Sequence, residues 1–253
     1  MASRIDDLAK IDASKETWTI VAKVNHLWLS PSLYGSKIPF SMDMILMDDK
    51  GCKIHAIVRK TLIYRFQSLL TEGKVYQISY FGVGESGRDF RPTEHPFKIN
   101  FDIQTSVRLL PNKAINITPY SFVPLADIMY KDLDTSFLIG GEQEFEKDGT
   151  KQKMITIELD QDGVRVECAF FGKYVSEVSG YLSSVDATNA VVVVQCCKIK
   201  PFKGKTSIQN VYGGTRVLFN PLIQEVGPLR ARINKSQAAY WSSNLKDNYV
   251  AIR

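Results

Sequence analysis

Histidine and cysteine are scarce in this 253-residue chain, and the few present are badly spaced for metal chemistry. There are three histidines, His26, His55 and His95, and four cysteines, Cys52, Cys168, Cys196 and Cys197, with no CxxC pair among them. Zinc sites draw on closely spaced Cys and His, so no metal and no other cofactor is expected. Long apolar runs are missing too. The longest, residues 190–194, falls far short of the roughly 20 residues a membrane-spanning helix needs, and no membrane partner is expected. The amino-terminal stretch holds Arg4, Asp6, Asp7, Lys10, Asp12, Lys15 and Glu16, a charge density unlike a secretory signal. The reading is an intracellular, reduced, soluble protein. Glycine-rich phosphate loops and nucleophile–base motifs are also absent, so an enzyme is not expected.

What is present suits a globular protein with a local charge pattern. An apolar share of 44% with 11% aromatics supplies enough core to exclude wholesale disorder. The net charge of +5 says little, but its distribution says more. Residues 109–226 hold 12 basic against 14 acidic groups, yet no Asp or Glu occurs from residue 187 to 224. Within that gap, residues 196–221 read CCKIKPFKGKTSIQNVYGGTRVLFNP and carry Lys198, Lys200, Lys203, Lys205 and Arg216 around Phe202. Alternation about Gly213 and Gly214 predicts strand, turn, strand. Cations that follow phosphates, with a ring that stacks on a base, are the chemistry of single-stranded nucleic-acid binding. A solvated basic hairpin with Phe202 in a core is the competing reading of the same residues.

The order of elements repeats. Strands are expected at residues 17–29, 41–47 and 53–58, an amphipathic helix over 61–70, then strands at 75–83 and 96–107. In the second half, strands at 154–159 and 164–170 flank a turn, a helix covers 173–182, and a strand follows at 190–198. Adding 112 carries Asp48 onto Asp160, Gly51 onto Gly163, Phe66 onto Val178 and Phe90 onto Phe202. Five strands with a helix between the third and fourth describe an OB-fold, a small Greek-key barrel. The expected fold class is all-β with short helices, as two tandem OB-fold barrels. The divisions are a flexible lead-in over 1–13, a first barrel over 14–108, a linker over 109–124, a second barrel over 125–226 and a basic segment over 227–253. That last segment is read as a helix docked on the second barrel, a self-association element or a source of phosphate contacts.

The motifs WTIVAKVNHLW, DDKGCKIHAIV and HPFKINFDIQTSV in the first half resemble the large DNA-binding subunit of replication protein A, in the form of plant proteins similar to it. So do VRVECAFFGKYV, VVVVQCCKIKPFKGKTSIQN and TRVLFNP in the second. The resemblance spans roughly residues 14–226. It implies a nuclear, non-enzymatic protein of replication, repair or recombination that binds single-stranded DNA, with RNA not excluded. In that family each barrel stacks bases on one aromatic at the end of strand 3 and another after strand 4. The matching positions are Phe171 and Phe202 in the second barrel, and Arg59 and Phe90 in the first, so an arginine stands where an aromatic is expected. A guanidinium also stacks on a base and pairs with phosphate. The expected phosphate and loop contacts are Lys198, Lys200, Lys203, Lys205, Arg216, Arg91, Lys37 and Tyr34, with Arg88 and Lys98 below them.

Trp18, Trp28 and Trp241 are read as packing residues and His55 as a satisfied surface histidine. The segment 134–144 is short for a first strand of the second barrel. The family's zinc-binding cysteine cluster, which serves subunit assembly, has no counterpart, so a heterotrimer is not implied. The alternative function is a protein-interaction module with vestigial nucleic-acid binding, motivated by Arg59 and by that short segment.

Overall fold

The computed structural model describes residues 5–15, 17–32, 38–87, 91–120, 122–130, 154–184, 190–202 and 205–232. The chain divides into two compact units, residues 1–119 and 120–253.

The first unit is a seven-stranded sheet with strand order β5-β6-β3-β2-β1-β4-β7. Its strands are β1 (Thr19–Ser30), β2 (Ser41–Met47), β3 (Lys53–Arg59), β4 (Val75–Ser79), β5 (Gly82–Glu85), β6 (Phe97–Phe101) and β7 (Ser106–Leu109). Two pairs of these are single expected strands broken by kinks. The chain bends at Tyr80, which has a φ of 56°, so β4 lies on β1 while β5 lies on β6. It bends again after Phe101, so β6 runs parallel to β3 while β7 pairs with β4. Each broken strand thus reaches both ends of the sheet and closes it into a barrel, leaving no long free edge.

The hairpin turn before β3 has clear local causes. Asp48 Oδ1 accepts from the backbone N–H of Lys50 and Cys52 at 3.0 and 2.9 Å, and Gly51 takes a φ of 83°. β1 departs from simple alternation, because a bulge between Val24 and His26 shifts its register. Before the bulge Ile20, Ala22 and Val24 enter the core; after it Leu27 does, while His26 and Trp28 turn to the outer face.

The helix expected over 61–70 is shorter. A 3-10 turn at Lys60–Leu62 leads into one α turn, α1 (Ile63–Phe66), and Leu70 N–H then bonds the Phe66 carbonyl at 3.1 Å. Ile63, Phe66 and Leu70 are buried, but Leu69 is exposed. One turn suffices to cap the barrel end, so the apolar spacing overstates the helix.

The lead-in expected to be flexible is tied to the first barrel from Asp6 onward. Leu8 and Ile11, on and after a 3-10 turn at Leu8–Lys10, are buried in the core of the first barrel. Asp6 ties the segment down, donating its N–H to the Thr19 carbonyl at 2.7 Å and accepting Thr19 N–H at 2.9 Å. Between the barrels, Ile115 is buried against Val21, Met47 and Val75, and Lys53 Nζ bonds the Pro119 carbonyl at 2.7 Å. That half of residues 109–124 is therefore a strap on the first barrel.

The second unit opens with a helix that the sequence did not signal, α2 (Leu125–Tyr130), whose Leu125 and Ile128 enter its core. Next come β8 (Met154–Gln161), β9 (Val164–Phe171), α3 (Lys173–Ser184), β10 (Val192–Gln195), β11 (Cys197–Phe202), β12 (Lys205–Asn210) and β13 (Arg216–Phe219). They form a four-stranded sheet ordered β11-β12-β9-β8 and a pair, β10 with β13. The arrangement repeats the first unit: β12 is parallel to β9 as β6 is to β3, and Cys196 kinks at a φ of 50° as Tyr80 does. The segment 134–144 lies outside the described residues.

Two expectations are corrected here. The turn at Gly213–Gly214 does not close a hairpin; β12 pairs with β11 and β9, while β13 crosses to β10. The basic hairpin is instead β11–β12. Second, the constant offset of 112 ends at the helices, because the kinks Tyr80 and Cys196 fall 116 residues apart. The equal spacing of Arg59 to Phe90 and Phe171 to Phe202 therefore does not reflect one backbone register. Eleven residues join β5 to β6 but only two join β11 to β12.

Candidate nucleic-acid interface

Strand registers decide which side chains share a surface. On β9, Val166, Cys168 and Phe170 point into the second core, so Arg165, Glu167, Ala169 and Phe171 point outward. Gln209 lies opposite Lys198 and beside Ala169; Ser207 lies opposite Lys200 and beside Glu167. Lys198, Lys200 and position 202 thus occupy one outward row along β11, on the same face as Phe171. The backbone of Phe202 pairs with Lys205, which is exposed; its side chain lies outside the described set.

The face is divided in charge. Lys198 and Lys200 line the β11 edge, and neither has a carboxylate partner among the described residues. Glu158 and Glu167 face each other across β8 and β9 at the other edge, with Arg165 bonded to Glu158 and to Asp160 at 3.1 Å each. Strands about 4.8 Å apart put two strand spacings, roughly 10 Å, between the lysine row and Glu167. A polyanion is therefore favoured over β11 and β12 and repelled at β8. The sequence analysis missed Glu158, Glu167 and Gln209, whose alternation becomes informative only once the strand pairing is known.

Burial and the neighbouring Lys200 charge hold the Lys198 pKa below the ordinary lysine value. Two lysines placed side by side without a counter-ion are a strained arrangement that an anion relieves. Phe171 is half-buried, and its N–H donates to Asn210 Oδ1 at 2.7 Å, which fixes the strand end that carries the ring. Its neighbour Phe170 is fully buried. Arg216 does not join this face, because β13 pairs with β10.

The first barrel presents a different outer face. Arg59 ends β3 and is exposed; Lys98 pairs with His55 across β3 and β6. Neither Arg59 nor Lys98 has a carboxylate partner among the described residues. Gly82 and Gly84 lie opposite Asn100 and Lys98, so no side chain rises from β5 there. Toward β1 the face is filled by its own network. The Asp43 carboxylate accepts Ser30 Oγ at 2.8 Å, Ser41 Oγ at 2.5 Å and His55 Nε2 at 3.0 Å. Trp28 lies parallel to His55, centroids 6.1 Å apart, and stacks on His26 at 4.8 Å. His26 Nδ1 in turn bonds Glu72 Oε1 at 3.0 Å. His55 is thus a satisfied histidine, as Trp18 and Trp28 are packed indoles.

Arg91 is half-buried in the loop between β5 and β6. Phe90, Arg88, Tyr34, Lys37, Lys203 and Trp241 lie outside the described residues. Of the basic C-terminal segment, residues 227–232 are helical and sit on the second barrel. Leu229 packs with Val191, Val193 and Val226, and Arg232 bonds Asp162 at 2.9 and 3.0 Å.

Residues 9–131 match the family described as Domain of unknown function DUF223. The chain is similar to the replication protein A 70 kDa DNA-binding subunit of Danio rerio, 24% identical over 251 residues. That match covers 92% of this chain and 39% of the relative, so the chain spans about two fifths of that protein. Among solved structures, it matches a replication protein A heterotrimer bound to ssDNA with a TM-score of 0.55 and 19% identity, over 97% of this chain and 57% of that one. It also aligns with DNA-binding domain A of S. cerevisiae replication protein A, at a TM-score of 0.36 and 21% identity, over 44% of this chain and 96% of the domain. The chain thus has the fold of two tandem OB barrels and is similar to the large DNA-binding subunit of replication protein A, with the DUF223 match covering most of its first unit and the start of its second.

Proposed function

We propose that this protein binds single-stranded DNA without catalysis and with little sequence preference, in nuclear replication, repair or recombination. The observation that carries the reading is the outward row of Lys198 and Lys200 on the same face as Phe171, with no carboxylate partner among the described residues. Lysines on such a row follow phosphates, and a half-buried ring beside them offers its open face to a base whatever its identity. Phe202 is the second stacking residue of this barrel, Lys205 and Lys203 add positive charge at the hairpin end, and Arg59 with Lys98 serves the first barrel. The kinship with a protein named as a DNA-binding subunit supports the same ligand class.

The test is fluorescence anisotropy with a labelled oligothymidylate of about 20 nucleotides at two salt concentrations. About five phosphate contacts on a single strand give a log–log salt slope near −3.5. Each stacking contact is worth roughly 1–3 kcal/mol, so the Phe171→Ala/Phe202→Ala double variant weakens binding by about two orders of magnitude or more. Duplex of the same length competes poorly. Binding equally tight for duplex overturns the single-strand reading, and binding that is absent at low salt overturns it in favour of a protein-interaction module.

A further inference from the structure

The strand-3 terminus of the first barrel lacks an aromatic, but an exposed ring stands next to it on the neighbouring strand. Phe40 immediately precedes β2. Its carbonyl accepts the Lys60 N–H at 3.1 Å, which extends by one pair the ladder in which Ser41 lies opposite Arg59. Phe40 and Lys60, which opens the 3-10 turn Lys60–Leu62, are therefore backbone neighbours at this end of the β2–β3 pair. Phe40 N–H also donates to the Ser30 carbonyl at 2.8 Å, so its backbone is held from both sides.

The ring itself is left in solvent. Phe40 is 70% exposed, while Phe66, Phe81 and Phe101 of the same barrel are 2% exposed or less. Arg59 and Lys60 are both exposed, and neither has a carboxylate partner among the described residues. Strand alternation turns Arg59, at the end of β3, to the outer face on which His55 and Lys98 lie.

We infer that Phe40, flanked by Lys60 and Arg59, is a base-stacking subsite of the first barrel, taking one nucleotide of a single strand with its phosphates on the two cations. The subsite stands in for the aromatic missing at position 59. Because the ring is presented from a backbone that is already fixed, little ordering is required of the protein when the base arrives. The inference rests on the function proposed above and adds a residue that neither the family pattern nor the basic hairpin of the second barrel indicates.

Three variants test it with the oligothymidylate. Phe40→Ala is expected to lose roughly 5- to 150-fold in affinity, the range of one stacking contact. Phe40→Trp is expected to bind with undiminished affinity and to show indole fluorescence that is quenched on titration, read as the difference from wild type, whose Trp18 and Trp28 are buried. Lys60→Ala is expected to make the salt slope shallower by about 0.7. Position 40 is exposed, so thermal unfolding of both ring variants should match wild type. Binding that the Phe171/Phe202 variant weakens, but that Phe40→Ala leaves intact with no quenching of Phe40→Trp, overturns the subsite and leaves the function standing. No binding by wild type at low salt overturns both.

Discussion

Thr215 Oγ1 donates a hydrogen bond of 2.7 Å to the carbonyl of Cys196, and this clasp holds the kink of the second barrel. The first barrel repeats it, with Thr105 Oγ1 donating at 3.1 Å to the carbonyl of Tyr80. Both kinked residues have positive φ, 50° and 56°, a conformation that costs a side chain about 1–3 kcal/mol and persists only where neighbours hold it. Both threonines are buried, and each lies where its broken strand turns to join the other edge of the barrel. In the first unit the clasp ties together the two bends that convert two long expected strands into four short ones, and in the second it ties the bend at Cys196 to the turn at Gly213–Gly214.

Thr215→Val is the direct test of the clasp, because it keeps the side-chain shape and removes the hydroxyl. The Cys196 carbonyl loses its donor, and the Val211 N–H, which Thr215 Oγ1 accepts at 2.6 Å, loses its acceptor. Losing two hydrogen bonds at a buried threonine costs about 1–3 kcal/mol. The urea midpoint of the second barrel is expected to fall accordingly, while Thr215→Ser stays closer to wild type. An unchanged midpoint for the valine variant would show the kink to be held by packing alone.

The barrels were legible because their causes are local. The Asp48 and Asp160 turns, each followed by a glycine in the left-handed region, announce themselves in the sequence, and so does the buried face of α3 at Tyr174 and Val178. What escaped depends on distant partners. The clasps join residues 25 and 19 positions apart, and nothing near Tyr80 or Cys196 marks a bend. The Asp43–His55 pair needs the β2–β3 register and the β1 bulge before it can be seen. At the site, alternation placed Lys198 and Lys200 together, but Phe40 reads as an ordinary strand-start aromatic until its exposure is known.

Leu8 shows how a short apolar signal is lost among charges. It is 1% exposed and packs with Ile11 in the first core, though its neighbours are Asp6, Asp7 and Lys10. Leu8→Ala should cost about 2–5 kcal/mol, the range for a buried leucine replaced in a close-packed core. Removing the segment should cost at least as much. Chemical denaturation followed by Trp18 fluorescence reads this directly, since Trp18 shares that core. A stability equal to wild type would restore the view of a loose lead-in.

Acid should find the first barrel through Asp43. Burial alone would raise its pKa, but hydrogen bonds from His55, Ser41 and Ser30 outweigh burial and hold it below the ordinary aspartate value. A carboxylate with a depressed folded pKa contributes stability that is fully present above its unfolded value, near 3.9, and is lost as the pH falls toward the folded value. Urea midpoints of the first barrel should therefore drop as pH is lowered below about 4. Asp43→Asn should begin less stable at neutral pH and show a flatter acid limb. Parallel acid limbs for the two proteins would remove Asp43 from the account.

The divided face of the second barrel makes the alkaline behaviour of binding a test of where the strand runs. Lys198 sits half-buried beside Lys200, and both effects favour its neutral form in the free protein. A phosphate placed over the β11 row favours the charged form, so the complex binds more protons than the separated partners. Affinity should then fall as pH rises through the depressed pKa of Lys198, below the usual lysine value near 10.4, with up to one proton taken up per complex. Oligodeoxyadenylate is the suitable probe, because its base does not ionise in that range. Lys198→Arg should keep the affinity and flatten the pH profile, since a guanidinium stays charged throughout. Lys198→Ala should lose affinity and flatten it as well. A wild-type profile already flat between pH 7 and about 10 would mean that the phosphates do not pass over Lys198, and would move the path off the β11 edge.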